Sequence, residues 1–279
     1  TTNQGSYYHN QDGDEYIVWA WAETAASNVS NTDGSISSTV RVHPTSGFSF
    51  VNWTGTSADG TIGHGLGARP KACWVYPMQV ASNNGNTQRV WWWEANSDGY
   101  NINNGLNESS RVEANNTNGV ITAHASGEGT STVFSVKEGN SSFENVNHSS
   151  QNYMAICWKE VQGFSKFGSF KGNGDDNGAF VYCGFKPALV MIRAMDRAEG
   201  TFCYDNGRNP INDDTSYIMG VNDNQRHFAD TNTRFDFVSN GFKLRDNGPA
   251  RNTNGTVYGF CAWAENPLVT SKGAPCPAK

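Results

Sequence analysis

The chain has 279 residues, of which 37% are apolar, 12% aromatic and only 16% charged, with a net charge of −6 and a pI near 5.5. The aromatic share speaks against disorder, and the acidic balance offers no basic patch for a phosphate backbone. No apolar run approaches the roughly 18 residues that a membrane-crossing helix requires, so neither nucleic-acid binding nor membrane insertion is expected.

Thirty glycines and abundant Asn, Ser and Thr supply many turns, and no long amphipathic helical period is visible. An all-β chain of short strands follows, with cores built on Trp, Phe and Tyr. It opens on Thr1, as a processed chain or the ordered part of a longer one would. The first strand signal is YIVWAWAE at 16–23. The same shape returns as YMAICWKE at 153–160 and YGFCAWAE at 258–265, so that Tyr16, Tyr153 and Tyr258 stand seven residues ahead of Glu23, Glu160 and Glu265. Three copies of one closing strand imply a tandem repeat. Residues 1–37 then read as the closing strand of a preceding unit plus a Ser/Asn/Thr-rich linker, AASNVSNTDGSISS.

The first complete unit is expected over 38–161. GFSFVNWTG at 47–55 alternates from Phe48 to Phe50 and changes phase at Val51, as at a bulge or a twist. GHGLGARPKACWVYP follows at 63–77. Trp91 and Trp93 are expected on one face of a strand and Trp92 on the other. One of those faces must be core; the other is a subunit seam or a platform for a sugar ring, which makes Trp91, Trp92 and Trp93 candidate ligand-binding residues.

The second unit is expected over 162–265, with a tail at 266–279. GFSKFGSFKG at 163–172 matches GFSFVNWTG with Gly47 and Gly163 116 residues apart, and Pro70 matches Pro187 at 117. TVFSVKEGN (132–140) parallels NGFKLRDNG (240–248), pairing Phe134 with Phe242 and Val136 with Leu244. Gly163, Gly168 and Gly172 punctuate the Phe164/Phe167/Phe170 run as turns or bulges would. The continuous runs AFVYCGF and PALVMI predict strands covered on both faces. Short strands with frequent Asn-Gly and Asp-Gly turns predict tandem β-sandwich, jelly-roll-like units. The short Val161-Gln162 junction predicts units packed stiffly end to end, as in a rod.

No nucleophile elbow, Walker loop, HExxH helix or CxxC pair occurs, so no catalytic residue is assigned. His64, in TIGHGLG, sits at a turn where bonding to backbone is the ordinary role. The cysteines at 73, 157, 183 and 261 lie in apolar runs and read as buried free thiols. The acidic loops NQDGDEY, GNGDDNG and INDDTS offer oxygen ligands of the kind Ca²⁺ takes without full EF-hand spacing; Asp175 and Asp176 are the candidate metal ligands. Together with Asp213 and Asp214 they would also serve a polysaccharide-cutting enzyme. Such residues equally make plain turns.

SSTVRVHPTSGFSFVNWTGTSADGTIGHGLGARPK, GFSKFGSFKGNG, GFKPALVMI, YDNGRNPIN, SNGFKLRD and AWAENPLVTSKGAPCPAK, in that order, resemble the repeated C-terminal domains of bacteriophage tail-fibre-like virion proteins, especially those of marine and cyanobacterial phages. The resemblance implies a β-rich, non-enzymatic appendage at the virion surface, exposed to the extracellular medium. It further implies homo-oligomerisation, with a trimer favoured by analogy, contact with other virion proteins, and recognition of host-surface glycan. A purely structural decoration or surface filament, and a polysaccharide depolymerase, are the alternatives.

Overall fold

The computed structural model describes residues 20, 27–78, 90–93, 111–113, 129–136, 147–194, 201–208, 212, 216–220, 228–230 and 234–265. The chain is all-β: every regular element among these residues is a strand, and the paired strands run antiparallel. The first half contributes β1 (Val29–Asn31), β2 (Ser38–His43), β3 (Phe48–Thr54), β4 (Gly60–Gly63), β5 (Ala72–Pro77), β6 (Val90–Trp93), β7 (Arg111–Glu113), β8 (Val133–Val136) and β9 (Asn152–Trp158). The second contributes β10 (Ser165–Lys171), β11 (Phe180–Tyr182), β12 (Pro187–Ala194), β13 (Thr201–Asp205), β14 (Ser216–Gly220), β15 (Phe228–Asp230), β16 (Phe235–Val238), β17 (Gly241–Leu244) and β18 (Val257–Ala264).

The repeat is visible in the strand order. One large sheet runs β1-β2-β3-β9-β5-β6-β7 and the other β10-β18-β12-β13-β14-β15, so β3-β9-β5-β6-β7 corresponds to β10-β18-β12-β13-β14. The small sheets correspond likewise, β4-β8 with β11-β17, and β16 extends the second. The two later copies of the closing strand are β9 and β18, each paired on both sides within its sheet; the first copy, apart from Ala20, lies outside the described residues.

Three cores result. Val51, Trp53, Cys73, Tyr153 and Cys157 of the first large sheet pack with Ile62 of β4 and Phe134 of β8. Val190, Ile192, Tyr258 and Phe260 of the second pack with Val181 of β11 and with Phe242 and Leu244 of β17. The remaining faces of the two large sheets meet each other: Phe48, Ala72, Trp74 and Trp158 share a cluster with Phe167, Leu189, Met191, Cys261 and Trp263. Trp158 packs edge-on to Trp74 at 4.6 Å and to Trp263 at 5.7 Å, so the Trp of each closing strand lies in the seam. The units therefore join through their broad sheet faces rather than end to end.

Burial on both faces corrects two local expectations. The phase change at Val51 is not a bulge, because β3 pairs with β9 in unbroken register from Phe48–Trp158 to Thr54–Asn152. Phe48 and Phe50 face the seam while Val51 and Trp53 face the first core. Gly168 likewise sits in regular register within β10. The irregularity falls instead at Pro187–Leu189 of β12, where proline lacks the N–H a ladder needs.

The linker expectation is also corrected. Residues 29–43 form an arm that belongs to the first unit: β1 pairs with β2, β2 with β3, and buried Ile36 bridges to Ile62 of β4.

Equivalent contacts recur inside each unit. Trp53 stacks on Tyr153 and meets Phe134 edge-on; Phe170 stacks on Tyr258 and meets Phe242 edge-on. The Tyr153 hydroxyl accepts from the His148 N–H at 3.0 Å, and the Tyr258 hydroxyl accepts from the Thr253 N–H at 2.9 Å. Gly55 and Gly172 let these turns close: a Cβ there would stand 2.1 Å from the His148 carbonyl oxygen and 2.3 Å from that of Thr253.

Candidate functional site

The two units differ at one flank, and the difference comes from the chain between them. In the first unit the arm seals the gap between the β3 and β4 edges. The Ile36 N–H donates to the Thr61 carbonyl at 3.0 Å, and the buried Ser38 hydroxyl donates to the Gly63 carbonyl at 2.8 Å. Before the second unit there are too few residues for such an arm, because Val161 and Gln162 alone separate Glu160 from the turn at Gly163. Among the described residues β10 and β11 are consequently edge strands, and a groove of about 420 Å³ opens between them.

Phe180 and Tyr182 on β11 stand at this groove, 50% and 63% exposed, while Val181 between them turns into the core. The backbone amides of Phe180 and Tyr182 point to the free edge. The bonds Leu244 N to Ala179 O and Cys183 N to Asn240 O put the odd-numbered residues on the paired side of β11. Phe167, Phe170 and Phe260 complete the apolar lining, with Gly168 placing no side chain between the groove and the buried Phe260 ring. Polar groups converge from one end. Lys166 Nζ bonds Glu160 Oε1 at 2.8 Å, Glu160 Oε2 accepts from the Phe167 N–H at 3.3 Å, and Ser169 and Lys71 complete the lining. Exposed rings beside hydroxyl, ammonium and carboxylate groups suit a ligand with one apolar face and many hydroxyls.

AFVYCGF concealed this site from sequence reading. A continuous apolar run predicts coverage on both faces, yet β11 alternates and shows both aromatics to solvent. The usable signal was the short junction at 161–162, which is too short to lay an arm like that of 29–43 along the edge.

The expected site residues fall elsewhere. Trp91, Trp92 and Trp93 lie in β6, with Trp91 opposite Trp74 and Trp93 opposite Ala72; their side chains lie outside the described residues. Asp175 and Asp176 are exposed in the 172–178 loop, whose polar groups serve its own backbone. Asp175 Oδ1 accepts from the Asn177 N–H at 2.7 Å, and Asn173 Oδ1 accepts from the Asp175 N–H at 3.1 Å. Buried Asn252 holds the loop from below, its Nδ2 donating to Asn173 Oδ1, to the Asp175 carbonyl and to the Asp246 carbonyl at 2.7–2.9 Å. Among the described residues no group of three or more His, Cys, Asp or Glu is placed to hold a metal ion. Asp213, Asp214 and the 10–16 loop lie outside the described residues.

His64 has the backbone role expected. Its Nδ1 accepts from the Leu66 N–H at 3.1 Å, which leaves Nε2 to donate to the Thr130 carbonyl at 3.2 Å. Burial holds its pKa below the ordinary value, partly opposed by the Thr130 bond. A buried charge cluster in the second unit is also structural: Asp246 Oδ2 accepts from Arg251 at 2.8 and 2.9 Å, Arg234 lies 3.6 Å away, and the Arg251 guanidinium covers the Phe202 ring.

A family model for a domain of unknown function, DUF7483, matches residues 1–267. The chain belongs to the DUF7483 family. The match runs through both units and the seam, so the family's unit is the pair, in keeping with a core to which both halves contribute. No curated protein and no solved structure matches the chain. No helix among the described residues is long and apolar enough to cross a membrane.

Proposed function

We propose that this DUF7483 pair is a tandem of β-sandwich units acting as a non-enzymatic module of a phage appendage, and that it holds host-surface glycan at the open flank of its second unit. The observation that carries the reading is the exposure of Phe180 and Tyr182 on a free edge beside Ser169, Lys166 and Glu160. Two aromatic rings give a pyranose face its stacking surface, and the polar end meets its hydroxyls. The sequence resemblance to tail-fibre-like virion proteins supports the setting. A trimer displaying several such grooves would turn weak single contacts into firm attachment.

A second groove of about 440 Å³, lined by Ser30, Thr39, Asn52, Thr54, Met78 and Asn152, is rich in hydroxyl and amide groups. Its aromatic neighbours Trp53 and Tyr153 are buried, so it lacks a stacking ring. The test is binding of the fluorescently labelled chain to host cells, beside a Phe180→Ser/Tyr182→Ser variant. Cell binding by the parent and its loss in the variant is the expected result. No binding by the parent points to structural decoration, and release of reducing sugar from host polysaccharide points to a depolymerase; either overturns the reading.

A further inference from the structure

Two thiols in the first core face each other across the β5–β9 ladder. Cys73 and Cys157 are register partners, both wholly buried, with their Sγ atoms 3.2 Å apart. The ladder's phase decides what such a pair is able to do. Antiparallel neighbours alternate between hydrogen-bonded and non-hydrogen-bonded pairs, and the latter bring side chains closest.

The Met78 N–H donates to the Asn152 carbonyl at 2.7 Å, which makes Met78–Asn152 a bonded pair and puts the odd-numbered residues of β5 in non-bonded pairs. Pro77, which has no N–H, falls on a non-bonded position, as it must. On the other side of β9, the Gly55 N–H donates to the Gln151 carbonyl, so Cys157 directs its backbone groups at Ser49 of β3 and away from Cys73. Both observations put Cys73–Cys157 in a non-bonded pair, where Cα separations of about 4.5 Å lie within the range a disulfide bridges.

We propose that Cys73 and Cys157 are a built site for a cross-strand disulfide, formed when the folding chain meets a disulfide oxidant. The oxidant is a small-molecule disulfide such as oxidised glutathione. One cysteine thiolate attacks a glutathione sulfur and the first glutathione leaves as thiolate; the second cysteine thiolate then attacks the protein sulfur and expels the other. The protein loses two protons and two electrons, and the oxidant becomes two molecules of reduced glutathione.

The bond belongs to folding rather than to the finished fold. Burial pushes the Cys73 thiol well up, so the nucleophilic thiolate is scarce once the core has closed. The fold itself does not demand cysteine here, because the equivalent pair in the second unit is Val190 opposite Ala262. Cys203 and Cys261 have no such geometry: each pairs with Met191, from opposite sides of β12.

The test is to refold the reduced full chain in a buffer of oxidised and reduced glutathione, block remaining thiols with iodoacetamide, and map the peptides. The expected product is lighter by two hydrogens and joins the Cys73 peptide to the Cys157 peptide, a link that dithiothreitol removes. Its thermal midpoint should rise above that of the reduced chain. A Cys73→Val/Cys157→Ala variant, which copies the second unit, should fold and gain nothing from oxidised glutathione. Full alkylation of both cysteines, or their pairing with Cys183, Cys203, Cys261 or Cys276 instead, would overturn the proposal. The mapping on the parent chain stands even if the variant fails to fold.

Discussion

Replacing Trp158 with alanine removes the centre of the seam. Its side chain is wholly buried and packs edge-on against one indole from its own unit and one from the other. Truncating a buried Trp to Ala costs about 3–5 kcal/mol, from lost transfer energy and the cavity left behind. Against a typical stability of roughly 5–15 kcal/mol, that is a large fraction of the whole. The informative quantity is where the loss is felt. β8 and β17 lie in the two outer small sheets, each one sheet removed from the seam. If the pair unfolds as one body, amide hydrogen exchange measured by mass spectrometry should speed up in both strands alike, by roughly a hundred- to several-thousand-fold. Faster exchange in β8 with β17 unchanged would show that the units unfold independently, and would refute the seam as a common core.

Three further outcomes follow from the geometry. Because His64 is held neutral with its pKa below the ordinary 6.5, the unfolded chain takes up the proton first as pH falls. Stability should therefore be full above about pH 6.5 and drop below it until the folded-state pKa is passed, and chemical denaturation of His64→Asn should show a shallower drop. Asp246→Ala strands the Arg251 guanidinium in a buried site and should cost about 3–5 kcal/mol by urea titration, with Asp246→Ala/Arg251→Met recovering part of it. Gly172→Ala drives a methyl group into the Thr253 carbonyl and should cost about 1–3 kcal/mol, read as a lower urea midpoint.

Much of the architecture was legible because the closing strand carries three separable signals. Its Tyr caps a turn and packs in the unit's own core, its Trp enters the seam, and its Glu forms an ion pair, Glu160 with Lys166 and Glu265 with Lys186. Residues with distinct jobs on alternating faces leave a recognisable pattern. The pairing of Phe134 with Phe242 and of Tyr153 with Tyr258 was likewise readable, since each copy makes the same ring contacts. The burial of the cysteines at 73, 157, 183 and 261 was legible from their apolar surroundings.

What could not be read was which neighbour covers a strand. Apolar residues on both faces of β3 look like a phase error until a second sheet is known to lie across them. Conversely, Phe180 and Tyr182 look buried until β11 is seen to stand at the edge of its sheet among the described residues. The part of the arm at 29–37 was hidden for a related reason: its Ser/Asn/Thr composition is that of a linker, and Ile36 is the apolar side chain by which it joins Val40 in the first core. Composition reports propensity, whereas coverage is a property of the assembled sheets.

The most direct measurement is an NMR titration of the chain, labelled at its aromatic rings and backbone amides, with purified host-surface polysaccharide. The account predicts saturable shifts at Phe180 and Tyr182, with the Ser169 amide moving alongside them and the groove near Thr54 and Asn152 unchanged. Shifts confined to that other groove, or a spectrum untouched by the polysaccharide, would contradict it.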